Sequence, residues 1–243
     1  MKTALNIYLV RHAISEANLD KRVNARLPDA MVPLAPKGLE QAAAAGKALV
    51  ELLRGSQGRT RLLCSPYLRT RQTASEITTE LANAGVPFDQ REELALREIS
   101  FGLFDGIADD ELPQRFPVEH AHYQKHVVFE GEFYAPMPMG ESRVQVADRV
   151  KTVFGTILRD ASKDREDRIS NFIVVSHGVT IRAFLMQWLH LTPEWYKAQT
   201  NPGNASVTLI SSDGTSPYEM SEAFAGFSHV RRKQDEREDG VVG

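Results

Sequence analysis

The chain has 243 residues, 42% of them hydrophobic and 25% charged, close to ordinary globular usage, so it can bury a sizeable core in one large α/β domain or two small ones. A formal net charge of -3 excludes any global pull toward nucleic acid or membrane, although a local basic pocket for an anion does not register in that sum. The single cysteine, Cys64, excludes an intrachain disulfide.

Taken in order, residues 5–10 form a short apolar run that ends abruptly at Arg11-His12 and reads as a buried strand. The apolar stretch is too short to span a membrane and no small-residue cleavage site follows it, so the cytosol is the expected location. Pro36 opens a helix through Leu53, with Leu39, Ala42, Ala43, Gly46, Leu49, Val50 and Leu53 on one face. Residues 61–64 are a second strand, in which Cys64 reads as a small buried hydrophobe rather than a reactive thiol. A helix over 67–84 is stopped by Gly85.

The stretch 86–141 is the least regular, with a short helix expected near 109–116 and the rest, about 102–140, an insertion placed to cover a site. A helix over 142–160, a buried strand over 171–176, an apolar helix over 179–189 and a final strand over 205–210 follow. From 228 to 243 the chain turns into mixed charge, an expected flexible tail; Arg231-Arg232-Lys233 precedes acidic residues there and reads as solvated rather than as a nucleic-acid arm. Residues 1–227 thus form one expected domain, a three-layer α/β/α architecture with a mostly parallel sheet and helices on both faces.

Such sheets bind ligands beyond the carboxyl ends of their strands. Arg11-His12 sits past the first strand, Ser65 and Arg69 past the second at the start of a helix, and Ser176-His177-Gly178 past the strand ending at Val175. Two histidines and two arginines at one edge make an anion site, because a guanidinium fork matches phosphate oxygens and a helix start adds free N–H groups. A neutral imidazole can carry a phosphoryl group if its other nitrogen is held by an acceptor.

The segment Val10-Arg11-His12-Ala13-Ile14-Ser15-Glu16-Ala17-Asn18 resembles the Arg-His-Gly motif, with its downstream Asn, of the histidine phosphatase superfamily, the phosphoglycerate mutase-like proteins. Leu34-Ala35-Pro36-Lys37-Gly38-Leu39-Glu40-Gln41-Ala42 resembles the next family segment, and Ser65-Pro66-Tyr67-Leu68-Arg69-Thr70-Arg71-Gln72-Thr73-Ala74 the second arginine motif. Leu96-Arg97-Glu98 with Phe101-Gly102 resembles the acid/base segment, Gly140-Glu141-Ser142 the helix start beyond the insertion, and Ser176-His177-Gly178 the second histidine motif. The ordered set spans about residues 5–210 and, with the 20–24 and 133–136 stretches, is most similar to a broad-range acid phosphatase branch.

The resemblance implies His12 as phosphoaccepting nucleophile, Arg11, Arg69 and His177 as holders of the phosphoryl group with Asn18 a further contact, and Glu98 as proton donor to the leaving group. It implies no metal and no cofactor, and a small phosphorylated metabolite as substrate; a homodimer is compatible with it. Two departures are Ala13 in place of the family Gly and Ile14 where many relatives carry Glu. If residue 13 required positive φ, Ala would shift the loop and lower activity.

Phosphoglycerate mutase-type transfer and a phosphate-binding protein with a weakened site are the alternatives. No counterpart of the longer substrate-closing segments of the glycolytic mutases is visible. His120, His122 and His126 with Glu119 could suggest zinc but read as a polar surface helix or lid. Ser176 lacks the Gly-x-Ser-x-Gly frame of a hydrolase elbow. The sequon at Asn204-Ala205-Ser206 carries no weight without a secretion signal. Trp188, Trp195 and Tyr196 read as packing residues, and Arg22, Arg71, Tyr123 and Tyr134 as candidate substrate contacts.

Overall fold

The computed structural model describes residues 4–56, 58–164 and 166–227, so the charged stretch 228–243 lies outside the described residues. Strands β1 (Leu5–Arg11), β2 (Arg59–Cys64), β3 (Phe88–Glu92), β4 (Ile169–Ser176), β5 (Val207–Ser212) and β6 (Glu219–Phe224) form one sheet in the order β3-β2-β4-β1-β5-β6. The first four pair in parallel, and β5 and β6 close one side antiparallel. The helices are α1 (Glu16–Leu19), α2 (Pro36–Leu53), α3 (Leu68–Asn83), α4 (Leu112–Arg115), α5 (Pro117–Glu130), α6 (Arg143–Ala161), α7 (Gly178–Trp188) and α8 (Pro193–Ala198).

The period-2 alternation of strand side chains sends apolar residues to both faces, which is why the strand segments read as continuous hydrophobic runs. Leu5, Ile7 and Leu9 join Phe172 and Val174 beneath Val153 and Ile157 of α6 and Ile181 and Phe184 of α7. Tyr8, Val10, Leu62, Ile173 and Val175 meet Leu49 and Leu53 of α2 and Ala74, Ile77 and Leu81 of α3 on the other face. Each such side chain contributes about 1.5–3 kcal/mol on burial. The central strand β4 is buried at every residue.

Helix ends follow local chemistry. Pro36 occupies the first turn of α2, where its missing N–H costs nothing. Ser142 caps α6 in a reciprocal capping box with Gln145. Arg61 departs from the apolar reading of its strand: it is buried, forks onto Asp89 of β3 at 2.5 and 2.6 Å, and pairs with Asp160 near the end of α6. A guanidinium so placed is tolerated because both carboxylates meet it.

Three elements differ from the sequence expectation. The strand at 207–212 is not the last, since β6 follows it as an edge strand. Strand β3 lies within the stretch read as irregular. The insertion contains the 14-residue helix α5 besides the short α4, and has its own small core of Phe104, Leu112, Tyr123, Ala135 and Met137. Of helix α5 the sequence reading catches only the polar stretch around His120, His122 and His126, because Tyr123 is its one buried residue and no apolar stripe marks its extent. The ends of the insertion are pinched backbone to backbone: a Cβ on Gly140 would stand 2.4 Å from the carbonyl oxygen of Ser100.

Gly38, in the first turn of α2, faces the loop after β1 so closely that a Cβ there would lie 2.3 Å from the carbonyl oxygen of Ile14. Helix propensity alone favours alanine by about 1 kcal/mol. The clash reverses the sign, and Gly38→Ala is expected to lower stability by about 1–3 kcal/mol in urea denaturation; a gain would show that the two segments separate freely.

Candidate active site

Strands β2, β4 and β1 are neighbours, and their carboxyl ends finish level: Cys64 pairs with Val175 and Arg11 with Ser176. The backbone continues this alignment past the strands, with His12 N–H donating to the Ser176 carbonyl at 2.9 Å and Ser65 N–H to the Val175 carbonyl at 3.0 Å. Arg11, His12, Arg69 and His177 therefore converge on one edge of the sheet. The rings of His12 and His177 lie 5.3 Å apart, and both are buried, at 4% and 0% exposure.

His12 Nδ1 lies 2.8 Å from the carbonyl oxygen of Ala13. A carbonyl only accepts, so Nδ1 carries the hydrogen and Nε2 keeps its lone pair. Among the described residues Nε2 has no hydrogen-bond partner. Burial, then the nearby Arg69 and Arg11, hold the His12 pKa well below the ordinary imidazole value, against a weaker upward effect of the Ala13 bond. Ala13 itself has no positive φ. Alanine therefore replaces glycine there without backbone strain. The left-handed residue is Ala205 (φ 56), whose N–H reaches the carbonyls of Arg11 at 3.1 Å and His12 at 3.3 Å.

The His12 loop is tied down on several sides. Ala13 N–H donates to Thr73 Oγ1 of α3 and Ile14 N–H to Gln41 Oε1 of α2. Asn204 Nδ2 donates to the His12 carbonyl and to Asn18 Oδ1, each at 3.2 Å. Asn18 Oδ1 also accepts from the backbone N–H of Ser15, so the amide oxygen is committed and the Asn18 NH₂ group is left to face other partners.

His177 Nε2 meets Ser65 Oγ at 2.8 Å, while its Nδ1 is buried without a partner among the described residues. Its pKa is depressed by burial, then by Arg69, His12 and Arg11. Arg11 donates from Nη1 to the Pro202 carbonyl at 2.5 Å and has a buried Nε with no partner among the described residues. Arg69 lies over the Tyr67 ring at 5.0 Å and is held by Asp29, a residue absent from the sequence-based set.

Glu98 accepts from Ile99 N–H at Oε1, so an added proton resides on Oε2. Thr180 Oγ1, from the first turn of α7, stands 3.2 Å from the same Oε1 and 2.7 Å from the Arg97 carbonyl. Burial raises the Glu98 pKa, opposed by the Ile99 bond, Arg69 and Arg11. Glu141 bridges Arg97, Arg149 and the Ser100 N–H, fixing the backbone on the far side of Glu98.

Other sequence candidates are engaged elsewhere. Arg22 pairs with Asp20 and Arg71 with Glu92 at the surface, and Tyr123 packs inside the insertion. Tyr134 is partly exposed. His122 and His126 share a face of α5 with ring centroids 4.7 Å apart, and His126 bonds Glu130. Among the described residues no three His, Cys, Asp or Glu side chains are grouped to hold a metal ion. Trp188 and Tyr196 belong to core clusters, with Trp195 packed against them. Sequence reasoning assigned no role to Gln41 and Thr73, although both lie within the motif segments, nor to Asp29, Asn204 and Thr180; the spacing of these polar residues shows no periodicity and their partners lie far away in the chain.

Comparison with known proteins matches residues 7–221 to the histidine phosphatase superfamily (branch 1). The phosphoglycerate mutase-like protein AT74 of Arabidopsis thaliana is 34% identical over 212 residues, 84% of this chain, which spans 64% of that relative's length. A mycobacterial glucosyl-3-phosphoglycerate phosphatase structure superposes with a TM-score of 0.64 at 22% identity, covering 93% of this chain and all of its own (100%). The α-ribazole phosphatase of Shigella flexneri does so at 0.63 and 19%, covering 92% and 94%. These two structural likenesses speak to the fold. No helix among the described residues is long and apolar enough to cross a membrane.

The depressed His177 pKa has a measurable consequence. Below the ordinary value of 6.5 the unfolded chain binds a proton that the folded ring refuses, so this contribution to stability is full above that pH and erodes as pH falls. Relative to His177→Gln, the unfolding free energy of the wild type is expected to drop by about 1.4 kcal/mol more per pH unit below 6.5, read by urea denaturation. Parallel curves would mean that His177 takes up a proton in the folded chain.

Proposed function

Because the chain belongs to the histidine phosphatase superfamily, we propose that it hydrolyses phosphomonoesters of small metabolites through a covalent phosphohistidine on His12. The observation that carries this reading is the His12–Ala13 hydrogen bond in a buried cationic setting, which leaves Nε2 unprotonated and, among the described residues, without a partner. Beside it stand two buried nitrogens that meet no partner among the described residues, Arg11 Nε and His177 Nδ1. Unsatisfied buried polar groups are costly, and an anion's oxygens are the acceptors that Arg11 Nε, and Nδ1 when it bears the ring hydrogen, lack.

In the first step the Nε2 lone pair attacks phosphorus, the bond to the ester oxygen breaks, and Glu98 transfers its Oε2 proton to the leaving alcohol. In the second, the ionised Glu98 takes a proton from water as the water oxygen attacks phosphorus, and the N–P bond breaks to release phosphate. Arg11, Arg69, His177 and the Asn18 NH₂ group would hold the equatorial oxygens as charge redistributes over them. A raised Glu98 pKa suits a general acid at mildly acidic pH, and a depressed His12 pKa keeps the nucleophile neutral in that range.

The charge in transit is matched by guanidinium groups, so the reading requires no metal. It places hydrolysis ahead of mutase transfer because the sequence shows no clear counterpart of the longer substrate-closing segments with which the glycolytic mutases keep water from a phosphohistidine. A cytoplasmic setting agrees with a buried, unpaired Cys64.

His12→Ala is expected to abolish turnover and the acid-labile phosphoryl group trapped on the wild type, while a chelator changes neither. Persistent turnover in His12→Ala would overturn the assignment. Mutase activity primed by a bisphosphorylated sugar acid, without net phosphate release, would favour the mutase reading, and phosphate binding without turnover a weakened site.

In kcat/KM, which reports transfer to His12, Glu98→Gln should cost about 10²–10⁴-fold with alkyl phosphates and far less with p-nitrophenyl phosphate, whose leaving group needs no proton. Equal losses on both would remove Glu98 from the role of leaving-group acid. The wild-type kcat/KM should also fall on the alkaline side as Glu98 loses its proton.

A further inference from the structure

The phosphoryl reading of the site leaves one neighbour unexplained, a carboxylate set against the guanidinium that is to bind the phosphate. Asp29 begins a three-residue 3₁₀ turn, Asp29–Met31, on the chain between the His12 loop and α2. Beyond the turn this connection is stitched to both sides. Glu16 N–H donates to the Pro33 carbonyl, Ala35 N–H to the Ile14 carbonyl, and Leu34 N–H to Gln72 Oε1 of α3 at 2.7 Å. Asp29 is thus held between the two segments that supply His12 and Arg69.

Its contact with Arg69 is specific in geometry. Asp29 Oδ1 lies 2.9 Å from Nη1, Oδ2 lies 3.2 Å from Nη2, and the Asp29 carbonyl accepts from Nη1 at 2.6 Å. A guanidinium has five hydrogens in a rigid planar fork. Asp29 accepts from Nη1 through its carbonyl and from Nη2 through Oδ2, with Oδ1 beside Nη1 as an ion pair. The Nε hydrogen is left, on the edge whose parallel N–H groups are spaced to grip phosphate oxygens. Among the described residues Arg69 Nε has no hydrogen-bond partner. The Tyr67 ring under the guanidinium at 5.0 Å confines its plane but not its rotation within that plane.

We propose that Asp29 is a positioning residue for phosphoryl binding: by holding the Nη1–Nη2 end of Arg69 it turns the Nε edge toward the phosphoryl group beside His12. A free carboxylate at this place would repel a phosphate dianion. One paired with the guanidinium through both its oxygens already has its charge matched, and its contribution is directional. The sequence offers no hint of this, since Asp29 follows a proline in a loop and stands forty residues from its partner.

The proposal rests on the phosphatase reading, so its test measures binding apart from turnover. Dissociation constants for inorganic phosphate and orthovanadate are compared by calorimetry for the wild type, Asp29→Ala, Asp29→Asn, Arg69→Ala and the Asp29→Ala/Arg69→Ala pair. Asp29→Ala should weaken binding about tenfold, and in the Arg69→Ala background should cost nothing further, because its effect acts through that guanidinium. Asp29→Asn keeps one acceptor and should lose less than Asp29→Ala; being isosteric, it carries the test if the alanine variant fails to fold.

Tighter binding in either Asp29 variant would overturn the proposal, showing a competitor for Arg69 instead. Losses that add to that of Arg69→Ala would overturn it too, showing a general structural role, as would unchanged binding in both variants. A wild type that binds neither anion would sink the phosphatase reading with it, whereas normal wild-type binding with unaffected Asp29 variants would sink this assignment alone.

Discussion

An imidazole enclosed between guanidinium groups and cut off from water cannot easily accept a second proton, and most of the site's chemistry follows from that constraint. Desolvation and like charge act in the same direction on His12 and on His177, so both rings stay neutral where a solvent-exposed histidine would titrate. Neutrality alone does not choose which nitrogen is free. The Ala13 carbonyl does so, by claiming the Nδ1 hydrogen. The same burial acts oppositely on Glu98, where it favours the protonated form. One low-dielectric crevice therefore yields a base-like nitrogen and an acid-like carboxyl side by side, the separation of roles that phosphoryl transfer with a poor leaving group requires.

The crevice owes its rigidity to backbone rather than to side-chain packing. The ends of three adjacent strands stop at one level, and the first peptide beyond β1 and beyond β2 each continues the ladder into β4. A strained residue is present, but at Ala205 and not within the His12 turn. Its left-handed conformation, costing about 1–2 kcal/mol, aims an N–H at the carbonyls of Arg11 and His12. Asn204, its neighbour, sets the orientation of the Asn18 amide. A sequence triplet that resembles a glycosylation site is thus packed under the His12 loop, with Asn204 at 1% exposure.

The parts of this architecture that could be read from sequence are those with a strong local cause. Helix α2 was bounded by Pro36 and an apolar stripe, and β1 and β4 by unbroken aliphatic runs. Arg11, His12, Arg69 and His177 were legible because each directly follows a strand or opens a helix, where a parallel sheet gathers its ligands. The two edge strands were not. Strand β3, with Asp89, Gln90, Arg91 and Glu92, and β6, with Glu219, Ser221 and Glu222, are polar because edges facing solvent need charge to discourage pairing with other chains. Hydrophobic patterning cannot see such strands. Arg61 and Asp29 were hidden for a different reason: their significance lies in a partner distant in sequence, and no local spacing encodes it.

Cys64 lies at the end of β2, one residue before the site, and burial pushes its thiol up to about 12. It is the chain's sole cysteine. At neutral pH such a sulfur has almost no thiolate to offer peroxide or an alkylating agent. With nitrogen as the attacking atom, the proposed catalyst would keep working through an oxidative burst that silences phosphatases built on a reactive sulfur. On that proposal, resistance to redox control would follow from the choice of nucleophile together with the depth at which this one thiol is buried.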